Sequence, residues 1–398
     1  MTDIAASRER DEEWEAASTL TVAGELVGCA LVDPVSLGGS DRSLVLRCGT
    51  TSPTGPSTVV VKRYPDTAGG AASYARETAG LAEISRAPAL LGADDAHRIV
   101  VMEDLGHGPT LADLLLGDDR AAAWDGALGW ATALGDAVGR SHPRAAHFRK
   151  VLGRQGITDW DALLAARTGI DRLRSTLPPP GAPAITGGRT GKRATADSAL
   201  AEDVAAMRIL TSRDGDRGPG SPPADVVSPG DTCPDNAILT PTGWRFLDLE
   251  GATAQHVALD AAYMVMPFAT CWGVFDPPPG LTDALLERFT AAVAPHLPDV
   301  VVEPGWSRAL DLAAAAWILA VTGWLIDGAL ADDPNVGPPE LPSPSYRQLL
   351  ASRWGWGASR LGRTVLAVAE LLANASRWAE EEWGAGELRM GPYRAFGS

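Results

Sequence analysis

The stretch SPGDTCPDNAILTPTGWRFLDLEGA, residues 228–252, gathers four carboxylates and a side-chain amide around one turn. Pro229-Gly230 breaks regular structure, so Asp231 stands on a loop. Asn236 follows at the start of AILT, the turn PTG reverses the chain, and WRFLDLE returns. An antiparallel return predicts that Asp248, at the end of the second strand, comes back beside Asn236. An amide and a carboxylate from adjacent strand ends suit Mg2+, a hard cation that takes oxygen ligands and keeps waters and phosphates. Asp231 stands apart, free to handle a proton. Read alone, the stretch is also an ordinary acidic turn, because Asp, Asn and Pro are common turn residues. A calcium-binding EF-hand loop is excluded: neither a Gly in the sixth position from Asp231 nor a Glu in the twelfth is present.

A second group lies upstream. Lysine is scarce, with Lys62, Lys150 and Lys192 the only three. Lys62 falls inside the apolar run TVVVKRY, where an unpaired buried charge would be costly. Glu77, fifteen residues on in YARETAGL, is a candidate partner from the next helix. The alternative is a Lys on the exposed face of its strand. Further upstream, Gly38-Gly39 in SLGGSDRSLVL makes a tight turn between two strands. Its backbone N–H groups suit phosphate oxygens, although the same turn serves any hairpin.

These residues need elements to hold them. Residues 5–18 are polar and helix-prone. The runs VGCALVDPVSL, RSLVLRC, STVVVKRYP and HRIVVMEDL read as strands, with AASYARETAGLAEISRA as a helix among them. After Gly106-His107-Gly108-Pro109 the pattern turns helical: TLADLLLG, AAAWDGALGWATALGDAVGRSHP and WDALLAARTGIDRLRSTL. PPPGAPAITGGRTGKRATADS reads as a loop, and a mobile insert is expected around 178–225. Helices are expected again from Asp260 to about Ala379. Strands first and helices after indicate an α+β protein with a small sheet lobe and a larger helical lobe.

Composition bounds the rest. A net charge of −16 over 398 residues argues against nucleic acid and anionic membrane as partners. Cys29, Cys48, Cys233 and Cys271 are widely spaced, which fits a reducing cytosol without a disulfide framework. The charged N-terminal stretch is unlike a signal peptide. The apolar run Leu312–Ile326 is short for a membrane span and reads as a buried core helix. GGRTGKRA, residues 187–194, fails as a phosphate-binding P-loop: its Gly spacing is one short and Arg193 stands where Ser or Thr belongs. His142, at a helix end, reads as a capping or packing residue. The many Trp residues read chiefly as core, with one or two suited to line a substrate pocket.

Taken in order, the Gly hairpin, strand Lys, helix Glu, VVMEDLG connector, D-x-x-x-x-N loop and strand ending in Asp resemble the protein-kinase-like fold. PGDTCPDN, LDLE and LDAAY most resemble its aminoglycoside phosphotransferase and choline kinase branch, over roughly Val35 to Tyr263. The resemblance implies a two-lobed fold. The N-lobe, residues 1–106, would carry the sheet and one main helix, and the helical C-lobe residues 107–398. It implies ATP and Mg2+ as cofactors and a small-molecule hydroxyl acceptor, such as an aminoglycoside-like antibiotic, a nucleoside or another amino or sugar metabolite, in a cytoplasmic enzyme. Lys62 would hold the α- and β-phosphates, with Glu77 fixing it, and Gly39 and Ser40 would lie over the phosphates. Glu103 and Leu105, in the connector Met102–Leu105, would offer backbone groups to adenine. Asp231 would be the catalytic base, and Asn236 and Asp248 would bind Mg2+. Glu250 would be a further carboxylate on the metal or substrate side, and Asp260 a structural carboxylate under the loop. One departure stands out: Pro229 replaces the His that this branch carries two residues before its Asp. That leaves a nucleotide-binding pseudokinase as a rival reading. A protein-kinase-like enzyme is a second, though no D-F-G to A-P-E pattern follows Asp248.

Overall fold

The computed structural model describes residues 17–40, 42–178, 189–213, 222–268 and 271–397. Helix α1 (Ala17–Val27) leads into strands β1 (Leu31–Ser40), β2 (Ser43–Thr50) and β3 (Thr58–Arg63). Helix α2 (Ala68–Glu83) follows, then β4 (Leu90–Asp94) and β5 (Ile99–Glu103). The five strands form one antiparallel sheet in the order β1-β2-β3-β5-β4. Side chains alternate across a strand, and that alternation sorts this sheet. Val59, Val61, Ile99 and Val101 join Leu46 and Cys48 in a small core that takes in Ala23 of α1. Each such buried side chain contributes roughly 1.5–3 kcal/mol. Val100 and Met102 face the other way, into the larger core shared with Tyr74, Ala75 and Leu81 of α2. The leading helix expected over 5–18 lies almost wholly outside the described residues. Its observed successor, α1, reaches further along the chain, into a stretch expected to start a strand, because its apolar face closes the sheet.

The rest is mainly helical. Helices α3 (Leu111–Leu115), α4 (Arg120–Ser141), α5 (Ala145–Gly153), α6 (Ala162–Thr176) and α7 (Arg189–Ala206) precede two small ribbons. One ribbon pairs β6 (Asp225–Ser228) with β9 (Thr253–His256), and the other pairs β7 (Ala237–Thr240) with β8 (Gly243–Phe246). Helices α8 (Ala258–Val265), α9 (Leu281–Val293), α10 (Gly305–Leu330), α11 (Tyr346–Arg360) and α12 (Leu366–Ala379) complete the lobe. The two-lobed α+β architecture expected from the strand-then-helix pattern is therefore observed. Capping residues set several boundaries. Thr110 and Asp113 close a capping box on α3, and Asp119 and Asp161 accept from the first-turn N–H groups of α4 and α6.

Part of the expected mobile insert is corrected. Helix α7 occupies Arg189–Ala206, and Leu200, Val204, Met207 and Leu210 are buried. Leu200 and Val204, one turn apart, supply the apolar stripe of α7, which packs on α12. The flanking residues 179–188 and 214–221, with the first glycines of the P-loop-like stretch, lie outside the described residues.

Helix α10 is the axis of the larger lobe. It is long and apolar enough to cross a membrane, but 78% of its most apolar window is buried inside the protein. It packs on α6, α8 and α11, and an all-round apolar helix is what such a central position requires. Gly169 of α6 allows the closest approach: a Cβ there would stand 1.8 Å from the Leu319 carbonyl oxygen. Gly169→Ala must therefore push α6 off α10 and is expected to destabilise by about 1–3 kcal/mol in urea unfolding. Gly153→Ala, where a Cβ meets nothing within 4 Å, is the control and should not destabilise.

Candidate active site

The pleat that sends Val59 and Val61 under α1 sends Lys62 to the opposite face, toward α2 and the larger lobe. Its ammonium donates to Glu77 Oε2 at 3.2 Å and to Asp248 Oδ1, and lies 3.5 Å from Glu250 Oε2. Tyr64 completes the group: its hydroxyl donates to Glu77 Oε2 at 2.9 Å, and its ring lies 5.1 Å below the ammonium. Lys62 is 5% exposed and Glu77 1%. Burial disfavours the charge on Lys62, but Glu77 and Asp248 outweigh it and hold its pKa above the ordinary lysine value. Burial pushes the Glu77 carboxyl up, against the pull of Lys62. The exposed-strand alternative for Lys62 is thus excluded.

Asp248 is reached by the hairpin. Ala237 pairs with Phe246, and the Leu247 N–H donates to the Asn236 carbonyl at 2.8 Å, which brings the two predicted metal residues to one end of the ribbon. One expectation is corrected in detail. Strand β8 stops at Phe246, and Asp248 lies beyond it in the left-handed region (φ 55°), at the start of a tight turn over Leu249–Gly251. A non-Gly residue held there is strained, and such strain clusters at functional sites. The turn is what lets Asp248 and Glu250 both reach Lys62.

The loop bearing Asp231 leaves β6 at Ser228. Ser228 donates to Asp260 Oδ1 at 2.5 Å and accepts from the Gly230 N–H at 3.0 Å, while Gln255 donates to Asp260 Oδ2 at 3.1 Å. Asp260 is fully buried, and burial raises its pKa to about 6 against the Ser228 and Gln255 bonds. It acts as the structural carboxylate under the loop. Gly230 has φ 82°, and a Cβ on it would stand 1.9 Å from the Gly251 carbonyl oxygen. Only glycine lets this loop lie against the turn that carries Asp248 and Glu250. Asp231 remains open to solvent, with Oδ1 accepting from the Cys233 N–H at 3.1 Å. Although the residue reaches the surface, the protein atoms crowding its carboxyl shield it from water, and that desolvation pushes it up to about 6. The Cys233 N–H opposes that rise, and the negative charges of Asp248 and Asp235 add to it.

The remaining predicted residues frame this centre. The β1–β2 hairpin ends at Gly39 and Ser40, paired with Leu44 and Ser43. The Ser40 side chain and Asp41 lie outside the described residues. Arg42, just beyond, reaches Glu250 at 3.1 Å and so ties the hairpin to the Asp248 turn. In the connector, the Glu103 side chain accepts from Arg245 (2.8 Å) and from the Ala89 N–H (3.0 Å), and the Glu103 N–H donates to the Ala89 carbonyl (2.9 Å). Leu105 is half-buried beside Asp104. Asp104 is gripped by Arg47, which also donates to the Gly106 carbonyl. His142 Nδ1–H donates to the Asp225 carbonyl at 2.7 Å, the packing role expected at the end of α4.

The cysteine reading is corrected. Cys233 and Cys271, 38 residues apart in sequence, form a disulfide with Cα atoms 5.6 Å apart. Spacing along the chain carries no information about such a pair, because the Asp231 loop and the segment after α8 meet only in the folded lobe. Beside it, Trp272 Nε1 donates to Asp235 Oδ2 at 3.0 Å.

Asp248 and Glu250 present carboxylate oxygens to Lys62, with Asp248 still partly open, and Asn236 lies one backbone hydrogen bond from Leu247 at the same end of the ribbon. That chemistry fits Mg2+ and not a soft thiolate-seeking metal. Sequence reasoning missed Arg42, Tyr64, Ser228 and Gln255. Only Ser228 carried a signal, as the residue ending the strand before the Pro-Gly break.

No protein-family model and no curated protein matches the chain. Among solved structures it is similar to a choline/ethanolamine kinase family protein from Mesorhizobium loti, at 14% identity over 85% of this chain and 92% of that one, with a TM-score of 0.48. It is similar to choline kinase from Cryptosporidium parvum at 11% identity over 89% and 91%, with a TM-score of 0.42. A thermostable mutant of aminoglycoside phosphotransferase APH(4)-Ia shows 13% identity over 90% and 99%, with a TM-score of 0.43. Likenesses this distant assign no chemistry, which rests on the geometry above.

Removing Lys62 leaves Glu77 buried without its counter-charge. Lys62→Met should cost about 3–5 kcal/mol of stability at pH 7. The cost should shrink as the pH falls and the Glu77 carboxyl takes up a proton. Lys62→Met/Glu77→Gln should regain much of the loss; a double variant no more stable than the single one would contradict the pairing.

Proposed function

We propose that this protein is a phosphotransferase that moves the γ-phosphoryl group of Mg2+-ATP to a hydroxyl of a small molecule. The observation that carries the reading is the position of Lys62. A buried ammonium is held by Glu77 from one side and meets Asp248 and Glu250 from the other, next to the loop that bears Asp231. Phosphoryl transfer needs charge neutralised on the phosphates and a nucleophile held in line, more than it needs covalent chemistry. Each residue has a matching task. Lys62 holds the α- and β-phosphates, and Glu77 with Tyr64 fixes its direction. Asn236 and Asp248 hold the metal, with Glu250 at its side. The backbone at Gly39 and Ser40 covers the phosphates, and the backbone at Glu103 and Leu105 receives the adenine. Mg2+, when bound, bridges phosphate oxygens and offsets their charge.

Asp231 orients the acceptor hydroxyl and takes its proton. A base with a pKa near 6 is ionised at neutral pH and still basic enough to serve. Pro229 does not leave the loop unsupported, since Ser228 and Asp260 hold it from beneath; this favours an active enzyme over a pseudokinase. Dependence on ATP fits a cytoplasmic location, and the acidic surface fits a small-molecule acceptor better than a nucleic acid or a membrane.

The test is ADP formation from Mg2+-ATP against a panel of hydroxylated amines, sugars and nucleosides. Asp231→Asn should lower kcat by about 10²–10⁴-fold while leaving ATP affinity unchanged. A nucleotide that binds with no acceptor ever raising turnover would favour the pseudokinase reading. The pH profile gives a separate check. Asp231 must be ionised to act, so log kcat/KM should fall with a slope near one as the pH drops below about 6. A flat profile between pH 5 and 8 would remove Asp231 as the base.

A further inference from the structure

We propose that Cys233 and Cys271 form a redox-reversible site that sets how firmly Asp231 is held; the inference rests on the phosphotransferase reading above. Cys233 lies two residues after Asp231, and its N–H is the donor that orients the Asp231 carboxylate, at 3.1 Å. The same residue is bonded through sulfur to Cys271. The segment after Cys271 runs along the loop: Trp272 Nε1 holds Asp235 Oδ2 at 3.0 Å, and Gly273 lies against the Pro234 ring. Thr232 Oγ1 and Asp235 Oδ1 are buried without a hydrogen-bond partner among the described residues. The covalent bond is the side-chain tether on Cys233 itself, the residue whose N–H aims Asp231. Cys29 and Cys48 are free thiols elsewhere.

The chemistry is thiol–disulfide exchange with a small or protein dithiol as reductant. One reductant thiolate attacks a sulfur of the pair, the Cys233–Cys271 bond breaks, and the leaving thiolate takes a proton. The second reductant thiol resolves the mixed disulfide, so the reductant becomes a disulfide and two electrons pass to the two cysteines. The sulfurs are 6% and 4% exposed at the residue level, so reduction waits on local opening. Once reduced, the sulfurs must separate by roughly 1.5 Å or more to reach non-bonded contact. That shift falls on the backbone that positions Asp231, where a displacement of about 1 Å can lower turnover up to about a hundredfold. The oxidised form is the active one.

The experiment uses the full chain, air-oxidised, then reduced with dithiothreitol, then reoxidised. Thiol titration in denaturant should find two free thiols before reduction and four after, from the four cysteines present. ADP formation from Mg2+-ATP, with water as acceptor, should fall at least about tenfold on reduction and return on reoxidation. Amide hydrogen exchange over residues 231–236 should speed up in parallel. Cys271→Ser should behave as the reduced form in both states. Should that variant misfold, reduced wild-type protein carries the same readouts. Four thiols in the oxidised protein, or equal turnover and exchange in both states, would overturn the inference. No turnover in either state with water or with any member of the acceptor panel, while exchange still responds to reduction, would instead sink the phosphotransferase reading and the catalytic part of this inference with it.

Discussion

The ammonium of Lys62 is the group on which the site depends. It is buried, so its charge must be met by partners that arrive from elsewhere in the fold. Glu77 comes from α2, packed on the same sheet, while Asp248 and Glu250 come from the turn after β8. One charge thereby links the small lobe to the larger one. Three carboxylates around one lysine leave an excess of negative charge, which Arg42 offsets in part through Glu250. The same excess is what a divalent cation would relieve. An arrangement balanced in this way holds several oxygen groups close together around one ammonium.

The second constraint is steric. The loop bearing Asp231 and the turn bearing Asp248 approach so closely that a Cβ at residue 230 would overlap the Gly251 carbonyl. Ser228, Asp260 and Gln255 then fix the loop from below through buried hydrogen bonds. Buried polar groups that are fully paired rigidify a site, and rigid placement is what transfer between two substrates demands. The loop's far end is held differently, by the Cys233–Cys271 bond and Trp272. A hydrogen-bonded base and a covalently tethered rim are compatible with a loop that stays in register while one side remains adjustable.

Much of this was legible in the sequence where the signal is local. The pleat of TVVVKRY placed Lys62 on a sheet face, and the pairing of AILT with GWRF brought Asn236 and Asp248 to one end of a hairpin. The order of strands and helices indicated two lobes. Asp260 could be read as a supporting carboxylate. What the sequence could not show depends on contacts between distant segments. The Cys233–Cys271 bond, the Arg42–Glu250 bridge and the Trp272–Asp235 contact have no sequence period. Helix α7 was hidden by the Pro- and Gly-rich run beside it, since its helical state is decided by burial of Leu200, Val204 and Met207 against the larger lobe. The left-handed backbone at Asp248 is likewise a tertiary outcome, because nothing in WRFLDLE asks for it.

The claim at the centre is that the Lys62, Asn236 and Asp248 cluster binds ATP together with a divalent metal. Its most direct test is the thermal stability of the protein with ATP, in the presence and absence of Mg2+, for wild type and Asp248→Asn. A ligand that binds only the folded state at a hundred times its Kd stabilises by about 2.7 kcal/mol. The account predicts a rise in Tm with ATP that is larger with Mg2+ than without it in wild type, and a Mg2+-dependent part that is absent in Asp248→Asn. An ATP shift that ignores Mg2+, or one that Asp248→Asn leaves intact, would contradict it.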